Sequence, residues 1–181
     1  MRPYLDPIVS FRVVLRGYCE AFDRFQLAAT QTDPIPGILS LFEALNWAVV
    51  LDDRCREHWA PDGNPLGSEW LRRWRGDATI ARAIRFARNR VHHQWAEALE
   101  LRPPTVRSPL RDPSHESDWY WRSAADLPPA SRNRQVPAGE AAYEKLLAGR
   151  PAELTLSPIR GLYSELADLL EPPLAPTRAI A

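Results

Sequence analysis

The chain lacks the residues and runs that mark secreted and membrane proteins. Its 181 residues include only two cysteines, too few for a disulfide framework. Residues 1–4 lead into no apolar signal core, and no run approaches the roughly 20 uninterrupted apolar residues of a membrane-spanning helix. We therefore expect a cytoplasmic protein without a membrane span.

An excess of charge is missing as well. Basic and acidic residues number 23 each, which argues against a protein that binds nucleic acid or membranes over its whole surface. Lysine is nearly absent, because Lys145 is the only one and the other 22 of the 23 basic residues are arginines. Genomic base composition explains that bias as well as selection for phosphate binding does. Any basic site must therefore be local.

Prolines divide the chain into regions. Three long stretches without proline precede Pro103, and 12 of the 18 prolines lie from Pro103 onward. Because proline breaks helix interiors, these stretches are where long helices fit. We predict a helical core over residues 1–102, a proline-rich arm over residues 103–137 and C-terminal helices over residues 138–181 that pack on the core.

Apolar residues recur at helical spacing in each of these stretches. The predicted helices span residues 6–30, a second stretch that ends near Trp59, residues 69–75 up to Gly76, residues 77–101, residues 139–148 and a final helix from Ser157-Pro158 to Pro172. Two short segments of alternating polarity, 118–122 and 153–156, are predicted to pair as a small ribbon. The predicted fold is mainly α, an up-and-down helical bundle with a proline-rich arm and a small β-ribbon.

The best candidate for chemistry is the segment 88–93 within the helix predicted over residues 77–101. It contains two of the four histidines beside two arginines. At about 100° per residue, one helix face gathers polar side chains away from the apolar stripe. These side chains are Arg82, Arg85, Arg88, Asn89, His92 and His93. Between residues 69 and 93, seven arginines stand against only two acidic residues, so a phosphate backbone would be attracted here.

These residue types suit cleavage of RNA without a metal. Histidine titrates near neutral pH and can move a proton to or from a hydroxyl group. Arginine is a permanent planar donor that holds a phosphate through two hydrogen bonds. In such a reaction the 2′-hydroxyl attacks the neighbouring phosphate, one group takes its proton and another protonates the leaving 5′-oxygen.

The sequence Arg88, Asn89, three further residues and then His93 resembles the motif of HEPN proteins. The resemblance covers residues 5–101 and the final helix. It implies a composite site at a homodimer interface, in which Arg88 binds phosphate, His93 transfers protons and Asn89 positions them. His92 and Arg85 would support this site.

The resemblance also implies partners. Many members of the family are metal-independent ribonucleases of toxin-antitoxin or antiviral defence systems, so we expect RNA as substrate and an antitoxin of the nucleotidyltransferase type as a partner. Arg82, Arg85 and Arg90 are expected to bind RNA, and no metal or cofactor is expected. The additional His92 and the arm over residues 103–137 have no counterpart in the family pattern.

A rival hypothesis needs no catalysis. The chain would be a catalytically silent helical module that binds a protein or nucleic-acid partner through the same arginine-rich face, with the proline-rich arm as a second contact. This hypothesis predicts salt-sensitive binding without product, and indifference to the loss of His93.

Several residues near the motif also have two interpretations. His92 either acts as a second base or packs beside Arg88 at the edge of the core. Three carboxylates of the second helix either orient Arg88 or His93, or else are exposed charges or partners of nearby arginines. They are Glu43, Asp52 and Asp53.

Two further sets of residues lie outside the motif. The aromatic segment Trp119-Tyr120-Trp121 either stacks on bases or covers the bundle. Cys55 and His58 could supply two metal ligands, but no third or fourth ligand lies at a recognisable spacing.

Overall fold

The computed structural model describes residues 7–28, 33–59, 68–94, 98–102, 118–128 and 137–170. In this part of the chain the elements follow in the order α1 (Pro7–Ala28), α2 (Ile35–Trp59), α3 (Ser68–Gln94), β1 (Leu99–Arg102), β2 (Asp118–Trp121), α4 (Pro137–Leu146) and α5 (Ala152–Leu169). A short 3-10 helix, Ala124–Asp126, follows β2. The prediction of a mainly α helical bundle with a small β-ribbon is confirmed.

Helix α1 lies between α2 and α5 and supplies much of the core. Its contact with α2 is close at Gly17, where an added Cβ would lie 2.7 Å from the ring of Trp47, so only glycine fits there. Its contact with α5 includes a buried hydrogen bond of 2.8 Å from the Tyr18 hydroxyl to the Leu156 carbonyl. Helix α1 therefore buries its apolar residues between α2 and α5.

Helix α3 packs against α2 on one side and α4 on the other. Strands β1 and β2 form an antiparallel ribbon in which Leu99 pairs with Trp121 and Arg102 with Asp118. All four residues of β2 are buried, and the Trp121 indole donates a 2.7 Å hydrogen bond to the Thr155 hydroxyl of α5. Strand β2 is thus part of the core, and β1 adds Leu99 to it.

The prediction for the third helix was wrong at both ends. Gly76 does not separate two helices, because α3 runs without a break from Ser68 to Gln94. A glycine inside a helix costs only about 1 kcal/mol, which packing on both sides of α3 offsets. Residues 99–101 belong to β1, where Leu99 is buried and pairs with Trp121 of β2.

The predicted partner strand was also wrong. Residues 153–156 lie in the first turns of α5, which begins at Ala152 and contains Pro158 in its interior. Pro158 and Leu154 lie on the exposed face, where water can bond the carbonyl that loses its partner. A helical stripe of buried residues outweighs the local alternation: Leu156, Ile159, Leu162, Tyr163 and Leu166.

Part of the predicted arm is ordered structure. The described residues 118–128 form β2 and the 3-10 helix and end at Leu127, which is buried, and Pro128. The remaining predictions for the arm, over residues 103–117 and 129–136, lie outside the described residues, as does the predicted stop at Pro172.

Among the described residues, one stretch meets the length and composition expected of a membrane span. It is 35–57, within α2, and half of its most apolar window is buried against the rest of the bundle. A core helix of a globular protein passes the same test, so this finding carries little weight.

Candidate functional site

The candidate site lies along the contact between α2 and α3. The two helices run antiparallel, because later residues of α2 contact progressively earlier residues of α3. His92 lies against Phe42, Arg88 against Asn46 and Arg85 against Asp53. We call the side of α3 with Arg82, Arg85 and Arg88 the motif face, and the side of α2 with Phe42, Asn46 and Val50 its outward face. These two faces are continuous with each other.

Arg88 is held in place by two neutral amide groups. Its Nη1 donates a 3.0 Å hydrogen bond to the Asn89 side-chain oxygen, and its Nη2 lies 3.5 Å from that of Asn46. Its buried Nε–H has no hydrogen-bond partner within the described part of the chain. Since amides carry no net charge, these contacts fix the guanidinium without neutralising it.

His92 packs beside Arg88. Its ring stacks on Phe42 with 3.6 Å between the ring centroids and 14° between the planes, and its Nε2 lies 3.5 Å from the Phe42 carbonyl oxygen. These contacts correspond to the packing role considered for this residue. A supporting role in catalysis stays a prediction.

His93 lies in the last turn of α3, five positions after Arg88. Its side chain falls outside what the structure describes, so the role expected for it stays a prediction. The described contacts bring Arg88 and Asn89 together and hold both against α2.

Arg85 has the opposite environment from Arg88. It donates two hydrogen bonds to Asp53, one of them 3.3 Å long, and a further 3.3 Å bond to Asp52. Asp52 is only 2% exposed and also accepts two bonds from Arg56. The carboxylates of α2 therefore pair with arginines, as one of the two interpretations held, and do not orient Arg88. Glu43 pairs with Arg24 of α1.

These aspartates also affect acid–base properties. Burial alone would lower the pKa of Arg85, but the hydrogen bonds that Arg85 donates to Asp53 and Asp52, with the negative charges of both, raise it. Burial, with the charge of Asp52, raises the pKa of the Cys55 thiol to about 12. The Cys55 side chain is also fully buried, so it is out of reach of a substrate at the surface.

The other two arginines expected to bind RNA are placed differently from each other. Arg82 is exposed on the motif face of α3. Arg90 is only 5% exposed and points the other way, where its Nη1 donates to the Pro128 carbonyl and its guanidinium lies 4.9 Å from the centroid of the Phe86 ring. The expectation of a surface RNA contact at Arg90 is therefore wrong, because this side chain is part of the core.

The aromatic segment of β2 does not form a stacking platform. Trp119, Tyr120 and Trp121 are 7%, 2% and 0% exposed, so their rings cannot reach bases. They cover the bundle, as the other interpretation held. No group of three or more metal-ligating side chains is present among the described residues.

Asn46 was missed by the sequence analysis. It contacts Arg88 across the helix pair, and it lies four residues from both Phe42 and Val50 on the outward side of α2. A polar residue in the middle of an otherwise apolar outward stripe was the available signal. Its pairing with Arg88 depends on the α2–α3 register, which a single sequence does not reveal.

Comparisons with protein-family models, with curated proteins and with solved structures give no match. The function is therefore inferred from the site itself and from the motif.

Proposed function

We propose that the protein is a metal-independent endoribonuclease of the HEPN type, with a composite site at a homodimer interface. The observation that carries this proposal is the environment of Arg88. Its guanidinium is held by Asn46 and Asn89 through amide oxygens, and no described carboxylate pairs with it. A positioned and uncompensated guanidinium is what a phosphodiester needs.

The reaction follows from these groups. Arg88 would bind a non-bridging oxygen of the scissile phosphate and stabilise the charge that develops in the transition state. The 2′-oxygen forms a bond to phosphorus, its proton passes to one His93, and the bond from phosphorus to the 5′-oxygen breaks as a second His93 protonates that oxygen. The products are a 2′,3′-cyclic phosphate and a 5′-hydroxyl.

The need for two histidines favours a dimer. One proton-transfer group must begin deprotonated and the other protonated, and each chain contributes one His93 at the motif. The outward face of α2 beside Arg88 is apolar enough to be covered, with Leu39 59% exposed and Phe42 and Val50 half-buried. A second copy of the chain is the proposed partner, in line with the cytoplasmic toxin or antiviral role that the motif resemblance implies.

The experiment is incubation of the purified protein with end-labelled RNA in EDTA. The wild type should produce fragments ending in 2′,3′-cyclic phosphate, and Arg88→Ala and His93→Ala should each lose at least about 100-fold in rate. Arg16→Ala is the matched control, since this exposed arginine on α1 pairs only with Glu20 in its described ion pairs and should cleave like the wild type.

Two outcomes would contradict the proposal. Cleavage that requires a divalent metal would exclude this mechanism. Salt-sensitive RNA binding without cleavage, unaffected by His93→Ala, would favour the silent binding module.

A further inference from the structure

The motif face carries a second arginine, Arg85, and unlike Arg88 this one is paired with carboxylates. Arg85 lies three residues before Arg88, so the two side chains are neighbours on one side of α3. Its cluster holds two arginines, Arg56 and Arg85, and two aspartates, Asp52 and Asp53. The four formal charges sum to zero.

The two aspartates differ in what they need from Arg85. Asp52 is buried and is already bonded by Arg56 at 2.8 and 3.2 Å, and the Tyr163 hydroxyl lies 3.4 Å from it. Asp53 is exposed, with 55% of its side chain accessible, and among the described residues its ion pair is with Arg85. If the ion pair with Arg85 breaks, water can therefore hydrate the Asp53 carboxylate, and no buried charge is left without a partner.

A carboxylate that binds a guanidinium through two oxygens has the geometry of a bound phosphate. An exposed ion pair of this kind is weak, because water and salt compete with it. A phosphate delivered to Arg85 could therefore take the place of Asp53. An RNA strand that places one phosphate on Arg88 would bring a neighbouring phosphate to Arg85.

We propose that Arg85 is a second phosphate-binding subsite for single-stranded RNA, occupied by Asp53 when RNA is absent. The RNA backbone displaces the Asp53 carboxylate, while Asp52 keeps the Arg85 guanidinium on the motif face. Asp53 thereby sets how tightly RNA is held. This inference rests on the proposed function.

The test is a salt titration of binding to a single-stranded 2′-O-methyl oligoribonucleotide, which lacks the attacking hydroxyl and so stays intact. Asp53→Asn should steepen the slope of log affinity against log salt by about 0.7, one additional phosphate neutralised. This corresponds to about five- to tenfold tighter binding near 50 mM salt. Adding Arg85→Gln to Asp53→Asn should return the slope to that of the wild type.

Glu57→Gln is the matched control. Glu57 lies one turn after Asp53 on α2, is exposed and pairs with Arg54, so the variant makes the same charge change without releasing Arg85. The inference is supported if the slope of log affinity against log salt is steeper for Asp53→Asn than for Glu57→Gln. It is overturned if the two variants behave alike, or if Asp53→Asn weakens binding because Asp53 only positions Arg85.

Failure of the proposed function would be recognised separately. In that case Arg88→Ala would leave binding of the oligoribonucleotide unchanged, and both conclusions would fall. Binding that depends on Arg88 but not on Asp53 would overturn the second subsite alone.

Discussion

Arg88 and Arg90 are two residues apart on α3 and have opposite environments. Arg88 is half-buried between α2 and α3 and is held by amide oxygens. Arg90 is buried on the other side of the helix, where it donates to the Pro128 carbonyl and lies over the Phe86 ring. A step of two residues turns about 200° around a helix, so neighbours in sequence face different surroundings.

This difference shows that an arginine-rich segment is not by itself a binding surface. The aliphatic part of a buried arginine packs like an apolar side chain, and carbonyl oxygens and aromatic rings stabilise its guanidinium. We therefore expect the α4 side of α3 to control stability and the α2 side to control activity.

The largest effect on stability is expected for the two phenylalanines. Phe86 is 8% exposed and its ring lies 5.2 Å from that of Tyr143, so Phe86→Ala should lower the free energy of unfolding by about 3–4 kcal/mol. Phe42 is only half-buried, and Phe42→Ala should cost about 1–2 kcal/mol. Urea unfolding followed by circular dichroism measures both, and equal losses would mean that the two sides of α3 are packed alike.

The arginines themselves give the next prediction. Arg90→Ala should cost about 2 kcal/mol, since it leaves the Pro128 carbonyl without this donor and removes the contact with Phe86. Arg88→Ala should change stability by less than about 0.5 kcal/mol while abolishing RNA cleavage. The comparison fails if Arg90→Ala retains wild-type stability but loses cleavage, because Arg90 would then act in the site.

Sequence reasoning works where the determinants are local. Proline positions and helical periodicity placed α1 and α2 nearly correctly, and the motif face of α3 follows from helix geometry alone. It fails where partners are distant. The pairing of β1 with β2 and the contact of Asn46 with Arg88 join residues far apart in the chain, and no local pattern encodes them.

The same limit explains the error at Arg90. Arg90 is buried on the side of α3 away from the motif, and its guanidinium donates to the Pro128 carbonyl, 38 residues away. From the sequence alone, seven arginines in one segment look equivalent. Only packing separates an arginine held by amide oxygens, like Arg88, from one that is paired with carboxylates, like Arg85, or buried, like Arg90.

Tyr143 allows the α4 side to be tested by pH. Burial raises its pKa, with Glu144 adding to the effect, and its hydroxyl donates a 2.7 Å hydrogen bond to the Arg122 carbonyl. Tyr143→Phe should cost about 1 kcal/mol at neutral pH, where this bond is present.

Above pH 10 the raised pKa of Tyr143 makes the free energy of unfolding fall as pH rises. The unfolded tyrosine loses its proton near pH 10 while the folded one keeps it, so this group's stabilisation is full below pH 10 and is lost as pH rises toward the folded pKa. Wild-type stability should fall by about 1.4 kcal/mol more per pH unit than that of Tyr143→Phe. Parallel curves between pH 10 and 11 would show that Tyr143 is not protected.

The smallest effect on stability is expected at His92, and it separates the two histidines. His92→Phe keeps a flat ring to stack on Phe42 but cannot transfer a proton. We expect stability within about 0.5 kcal/mol and a cleavage rate within about threefold of the wild type. If His92→Phe instead lost as much cleavage rate as His93→Ala, His92 would be a proton-transfer group. A residue that only packs could be replaced by a ring of similar shape without changing the chemical step.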